Sequence, residues 1–331
     1  MVFSIRKLFG SSPLQTMSKH SLQVNNFQPG SILTAVAATM VVGIFTLPVF
    51  AQPKPLKVFI AVDMEGIAGV VSGNQLTPKG FEYERFRRFL TAEVLAAVNA
   101  IRKSGAAEIV VCDSHFEGQN LLIEEFPEDV TIVRSTPAPL DWLQGLDGSF
   151  DGVILIGFHA SATSLEGVRA HTISSGRFTD VKINGSSMSE TTIAAAVAGH
   201  FGVPIILLSG DDAAIAEAQR VLPNMEMAVT KWAYGFHSAR TLTPAAAQKI
   251  IAVKTAKAIE RLRTGDFKPY STQKPVRLEL RFKHYRPAEV LAYLPFVERP
   301  DSHSIRYVAA DMLQTMKFLA FVEAFNIELE P

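Results

Sequence analysis

The chain has too little cysteine for a disulfide and too little charge imbalance for a nucleic-acid surface. Cysteine occurs once in 331 residues, at Cys112, so no internal disulfide can form and a zinc site built on several cysteines is excluded. With 32 basic and 32 acidic residues, the chain lacks the basic surface that holds a phosphate backbone. Charged residues amount to 19% and hydrophobic ones to 48%, which is too apolar for a disordered chain. There is no repeat of fixed period and no low-complexity tract.

One long apolar run is present, at 31–50 (SILTAVAATMVVGIFTLPVF). Arg6, Lys7 and Lys19 precede it, and no acidic residue does. It ends in Val49-Phe50-Ala51, just after Pro48, with tolerated residues where a signal peptidase reads. Residues 1–51 therefore read as an export leader, and a start at Met17 would give it an ordinary length. About 20 apolar residues also suffice to span a bilayer, so an uncleaved anchor is the alternative. Both readings put the folded part outside the cytoplasm, periplasmic or extracellular, and cleavage would leave no membrane contact.

The remainder, about 280 residues, alternates strand and helix patterns. Strands are expected at 57–64, 108–115, 131–135, 152–160, 203–212 and 225–230, with an edge hairpin at 181–189. Helices are expected at 82–103, closed by Gly105, at 190–201, from Asp211, and from the Thr-Pro start at 243–244. The fold class is α/β: a doubly wound, mainly parallel sheet at 52–265, followed by a smaller C-terminal α+β region at 266–331. Cys112, inside the apolar run IVVCD, reads as a buried small hydrophobe.

Three strand ends share one layout: VDMEG at 62–66, VCDSH at 111–115 and IGFHA at 156–160. Ligands and catalytic groups collect at the carboxyl ends of such strands. Asp63 and Glu65, two apart, are expected to point the same way and to need a cation between them. His115 follows a strand with Asp113 placed to orient its ring, and His159 sits in a buried context. Taken singly, each has a bland reading: a cap, a turn, a core histidine. His171, in RAHT, could be a surface loop residue, and Glu190 could simply suit the start of its helix. Taken together on one sheet edge, they suit zinc, manganese or iron. Two histidines and three carboxylates exceed one tetrahedral site and suit two metals sharing a bridging Asp and a water.

VDMEG, DSH after a second strand, G-aromatic-HA, AHT, a Glu opening a helix after an ING turn, and GDD before an Ala-rich helix occur in order between Lys57 and Ala258. In these strings the chain resembles the zinc-dependent D-aminopeptidases of the DppA type. The resemblance implies two zinc ions per subunit bridged by Asp63, one completed by Glu65 and His159, the other by His115 and Glu190. It implies His171 as the catalytic histidine, serving as base, acid or nucleophile. It further implies a ring-shaped homo-oligomer that removes N-terminal D-amino acids, D-alanine especially, from short peptides by attack of a metal-held hydroxide. An export leader would move the substrate pool outside the cytoplasm, where D-alanine-rich peptidoglycan fragments are the natural candidates. Two other readings remain open: an amidase or L-peptidase on the same scaffold, and a non-catalytic periplasmic protein that binds metal or solute.

Overall fold

The computed structural model describes residues 55–105 and 108–325; the leader expected at 1–51, with its cleavage site, lies outside the described residues. Side-chain alternation along the first strand, β1 (Lys57–Val62), sets the architecture. Val58, Ile60 and Val62 enter one core while Phe59 and Ala61 enter another, and all five are fully buried. A strand buried on both faces belongs inside a parallel sheet. β1 accordingly lies between β2 (Glu108–Asp113) and β4 (Gly152–Phe158), parallel to both.

Beyond β2 lies β3 (Val130–Val133), and beyond β4 lie β7 (Ile205–Asp211), β8 (Glu226–Gly235) and β9 (Ser238–Thr241). The order is β3-β2-β1-β4-β7-β8-β9, parallel except for the β8–β9 hairpin at one edge. Helices α1 (Tyr83–Lys103) and α4 (Pro244–Arg263) cover one face. On the other lie α2 (Glu190–His200) and α3 (Asp212–Gln219). The sheet is therefore doubly wound, as the alternating pattern predicts. The signals that start and stop these helices also act as read: Gly105 follows α1 with φ 72°, and Thr243 caps α4 ahead of its N1 proline.

A smaller antiparallel sheet packs behind α2. Its order is β11 (Val297–Glu298), β12 (Ser304–Ala309), β10 (Val276–Phe282), β5 (Phe178–Ile183), β6 (Ser186–Ser187). α5 (Tyr285–Leu291) and α6 (Met312–Ala324) pack against it. Helix α2, buried from Glu190 to Ala198, lies between the two sheets and shares one core with Leu278, Leu280 and Met316. Its run of alanines and its lack of a polar face follow from that position. The smaller sheet is not confined to 266–331, because β5 and β6 come from the middle of the chain and supply β10 with a partner. The described residues all belong to one compact unit, 53–331. Sequence patterning misses β9, β11 and α5, which are too short or too exposed to carry a period. Among the described residues, no helix is long and apolar enough to cross a membrane.

Candidate metal centre

The chain leaves β1, runs out along β2 and β3, and returns to the other side of β1 as β4. The carboxyl ends of β1 and β4 therefore flank the topological switch point, where open α/β sheets bind ligands. Glycine closes the gap between them. Gly66 N donates to Gly157 O at 2.6 Å. A Cβ on Gly66 would lie 2.0 Å from the Phe158 carbonyl oxygen, and one on Gly157, at φ +80°, would lie 2.1 Å from the Asp63 oxygen. Only glycine fits at either position, and the contact sets Asp63 and Glu65 beside His159.

β1 ends at Val62, so Asp63 and Glu65 do not share a strand face as expected. The turn after the strand aims both inward instead, and Met64 N donates to Asp63 Oδ1 at 2.8 Å. His115 follows β2, where the Ser114 hydroxyl donates to Val62 O at 2.6 Å. Glu190 opens α2 behind its N-cap Ser189. All five side chains expected to ligate a metal meet in one place, together with His171. Each of the five is at least nine-tenths buried.

Each imidazole is oriented the same way: one ring nitrogen meets a main-chain carbonyl, so it must be the donor. His115 Nε2 is 2.9 Å from Leu76 O, His159 Nδ1 2.9 Å from Ala160 O, and His171 Nδ1 2.8 Å from Arg169 O. The other nitrogen of each then faces the acids, as an N–H donor when the ring is protonated or as a lone pair when a cation takes the proton's place. His115 Nδ1 lies 3.1 Å from Asp63 Oδ1 and 2.9 Å from Glu65 Oε2. His159 Nε2 lies 3.3 Å from Asp63 Oδ2 and 3.5 Å from Glu190 Oε1. His171 Nε2 is 3.9 Å from Glu190 Oε1, and its ring stacks on that of His159 with centroids 4.0 Å apart.

Apart from these ion-pair contacts, Asp63 Oδ2, Glu65 Oε2 and His159 Nε2 are buried without a hydrogen-bond partner. Asp63, Glu65 and His159 present ligand atoms within 4.8 Å of one another, and so do His159, His171 and Glu190. The first group is one that the resemblance implies. The second brings His171 closer to the metal-ligating set than expected, while His115 lies on the Glu65 side of Asp63 rather than beside Glu190.

Burial and the nearby Glu65 charge push the Asp63 carboxyl up to about 7. Burial opposes the charged forms of Glu65 and His115 as well, yet their mutual attraction holds Glu65 well below and His115 well above their ordinary ranges. The same contest, chiefly with Glu190, raises His159 to about 10. The cluster thus demands positive charge at its centre. Carbonyl-oriented imidazoles facing carboxylates, with orphaned ligand atoms between them, fit a divalent cation. His171 differs: burial and then the neighbouring His159 lower it, keeping the ring neutral.

The expected contact of Asp113 with the His115 ring is absent. Asp113 accepts instead from the Asn120 and Leu121 amides at 2.6 and 2.7 Å and from Asn120 Nδ2 at 2.9 Å. Asn120 Nδ2 also lies 2.6 Å from His115 O, so Asp113 orders the main chain that carries His115. Asp211, read from the sequence as a helix cap, caps α3 and also accepts Val168 N at 2.7 Å. That bond ties down the loop leading to His171. Cys112 is buried, and burial pushes its thiol up to about 12, so it is no nucleophile.

The site opens into a cavity of about 570 Å³ lined by Asp63, Glu65, His115, His171 and Glu190, by Glu117 just after His115, and by three charged groups from other parts of the chain that pattern reading passes over. These are Asp141 in the 3-10 turn Asp141–Leu143, Glu323 at the end of α6, and Arg169. Burial, then the charge of Glu190, raises Asp141 to about 7. Burial, then Asp141, raises Glu323 to about 8. A fourth missed residue lies behind the site: Lys231, fully buried on β8, donates to the carbonyls of Glu65, of Ile67 at 3.1 Å and of Val70 at 2.8 Å. None of the four had a sequence signal beyond being charged in an otherwise apolar or loop context.

Buried Asp, Glu and His groups at the switch point of a doubly wound sheet are the equipment of a metal-assisted hydrolase. Comparison with known proteins makes this specific. Residues 56–321 match the family Peptidase_M55, described as D-aminopeptidase. The D-aminopeptidase of Bacillus subtilis (strain 168) is 30% identical over 260 residues, 78% of this chain and 93% of that protein. The structure is similar to that of the Zn-dependent D-aminopeptidase DppA from Bacillus subtilis, a self-compartmentalizing protease. The TM-score is 0.77 at 29% identity, covering 81% of this chain and 97% of the other. The chain belongs to this D-aminopeptidase family of hydrolases. The six strings anticipated that family, but the match also extends past Ala258 into the C-terminal region, where they are silent.

Proposed function

We propose that this enzyme is a two-zinc aminopeptidase that removes N-terminal D-amino acids, D-alanine in particular, from short peptides. The observation that carries the reading is the buried set Asp63, Glu65 and His159, whose ligand atoms lie within 4.8 Å of one another beside the switch-point cavity that Asp63 and Glu65 line. Asp63, Glu65, His115, His159 and Glu190 would hold the metals, with Asp63, flanked by His115 on one oxygen and His159 on the other, shared between them. Zinc supplies a Lewis acid for the scissile carbonyl and lets water act as a nucleophile near neutral pH.

The protein's own part is to bind, orient and move protons. His171 keeps its proton on Nδ1, held by the Arg169 carbonyl, and presents Nε2 to the cavity as an acceptor. A neutral ring there can take a proton from the attacking water and return it to the leaving amine. Two non-glycine residues with positive φ, Arg169 at 57° and Ile173 at 67°, flank the histidine. Ile173 N donates to Glu190 Oε1 at 2.7 Å, so the strained loop is held by a group of the site itself. Asp141 and Glu323 give the cavity a wall of carboxyl groups able to accept hydrogen bonds from a free amino terminus.

Assembly into a ring follows the self-compartmentalizing relative, and action outside the cytoplasm, on peptidoglycan-derived peptides, follows the leader at 1–51. The test is metal analysis of purified protein together with hydrolysis of D-alanine and L-alanine p-nitroanilides before and after chelation. Two zinc ions per chain and a chelation-sensitive preference for the D substrate are expected. Full activity without metal, or preference for the L substrate, would overturn the proposal.

A further inference from the structure

Arg169 brings a positive charge to a cavity of acids and has no partner for it. Its Nε is buried without a hydrogen bond, and among the described residues its guanidinium pairs with no carboxylate. It is the one arginine or lysine among the described residues that line the cavity. Its other contacts place it without satisfying it. The Arg169 amide donates to Phe236 O at 3.0 Å, and the guanidinium lies 4.9 Å from the centre of the Phe236 ring. The Arg169 carbonyl fixes His171, and the backbone holds φ 57° to do so. A guanidinium confined on one face by an aromatic ring, with its donors free, is prepared for a planar anion.

The cavity also carries acids: Asp141, in the turn Asp141–Leu143, and Glu323, at the end of α6, line it, and among the described residues neither forms an ion pair with Arg169. A ligand that complements both those acids and Arg169 carries a cation at one end and an anion at the other. A free peptide with both termini charged has that form, and about 570 Å³ admits one of two or three residues. Arg169 stands two residues from His171, and both line the cavity.

We propose that Arg169 binds the C-terminal carboxylate of di- and tripeptide substrates and thereby makes the enzyme selective for short peptides with a free acid end. The inference rests on reading the cavity as that of a D-aminopeptidase. The test uses the zinc-loaded full chain with D-alanyl-D-alanine and its C-terminal amide. One charge-assisted pair is worth about 10- to 100-fold, so wild type should show a KM lower by that factor for the acid. Arg169→Gln should raise the KM for the acid relative to that for the amide by the same factor, abolishing the preference, with zinc content unchanged. Arg169→Lys should recover part of the preference. Equal KM values for acid and amide in wild type would overturn the proposal. So would an equal loss on both substrates in Arg169→Gln, which would reduce the residue to a support for His171. If wild type hydrolyses neither compound, the D-aminopeptidase reading fails, and calorimetric titration of the same proteins with the two compounds still decides. A preference for the acid that disappears in Arg169→Gln sustains the carboxylate site, and no preference overturns it.

Discussion

Replacing Lys231 by methionine tests whether a buried ammonium holds the loop of Asp63 and Glu65 in place. Lys231 is fully buried, and its Nζ is the common donor to the carbonyls of Glu65, Ile67 and Val70, more than 160 positions away. Methionine keeps most of the length and removes every donor. Stranding three carbonyls costs about 3–6 kcal/mol, taking about 1–2 kcal/mol for each. Part is recovered, because burial of the ammonium is itself unfavourable: it lowers the Lys231 pKa to about 8. That recovery is about 1–3 kcal/mol, so a net loss of about 2–3 kcal/mol is expected at pH 7. Guanidinium unfolding of metal-free wild type and Lys231→Met, followed by circular dichroism, measures it. The sign with pH is also set. Between about 8 and the unfolded value of 10.5, the unfolded chain holds a proton that the native chain has lost, so the lysine's own burial penalty fades as pH rises. The deficit of the variant should therefore widen from pH 7 to pH 10. Zinc affinity should fall as well, since the loop carries Glu65. A variant within 0.5 kcal/mol of wild type with unchanged zinc affinity would refute the reasoning.

Glu226 is 4% exposed and bound by Lys254, Lys257 and Arg261 at 2.8 to 3.0 Å; burial pushes its carboxyl up, but the three cations outweigh this and leave it at about 2. Its contribution is therefore present above the unfolded value near 4.5 and lost as pH falls toward 2. Discounted for the solvent at the two lysines, Glu226→Gln should cost about 1–2 kcal/mol at pH 7 and almost nothing at pH 2, as read by urea unfolding at the two pH values. Asn120→Ala removes donors to Asp113 and to His115 O and the acceptor of the Tyr83 hydroxyl, so a loss of about 2–3 kcal/mol and weaker zinc binding are expected in thermal melts and metal titration. Chelation should lower the melting temperature as well as activity, because zinc at 1,000 times its Kd stabilises by about 4 kcal/mol. An unchanged melt after zinc removal, confirmed by metal analysis, would contradict the site.

The parts of the fold legible from sequence are those that repeat locally. Val58 to Val62 alternate between two cores, Thr243-Pro244 starts a helix and Gly105 follows one, and each depends on neighbours within a turn or a strand. The shared sheet was not legible in that way. Nothing near Phe178–Ile183 shows that its partner is β10, about a hundred residues on, because antiparallel pairing leaves no local trace of which strand will pair. The site divides along the same line. Asp63, Glu65, His115, His159 and Glu190 were readable because each ends or begins an element whose boundary the sequence marks. Asp141, Arg169, Lys231 and Glu323 were not, because a lone charged residue in a turn, a loop, an inner strand or a helix's last turn has no recognisable period. The Asp113 contact was misassigned for a related reason: proximity in sequence suggested the ring of His115, whereas Asn120 offers the nearer donors.

From the sequence by itself came the alternation of strands and helices, the strand ends that carry metal-capable groups and, through six short strings, the family. The tertiary structure alone decided how those groups meet. Gly66 and Gly157 let two backbones approach more closely than any side chain allows, three carbonyls choose which nitrogen each imidazole turns to the acids, and Lys231 fixes the loop from behind. These are contacts between residues 1 to 166 positions apart, and their energy depends on distance in space, which the order of residues along the chain does not contain.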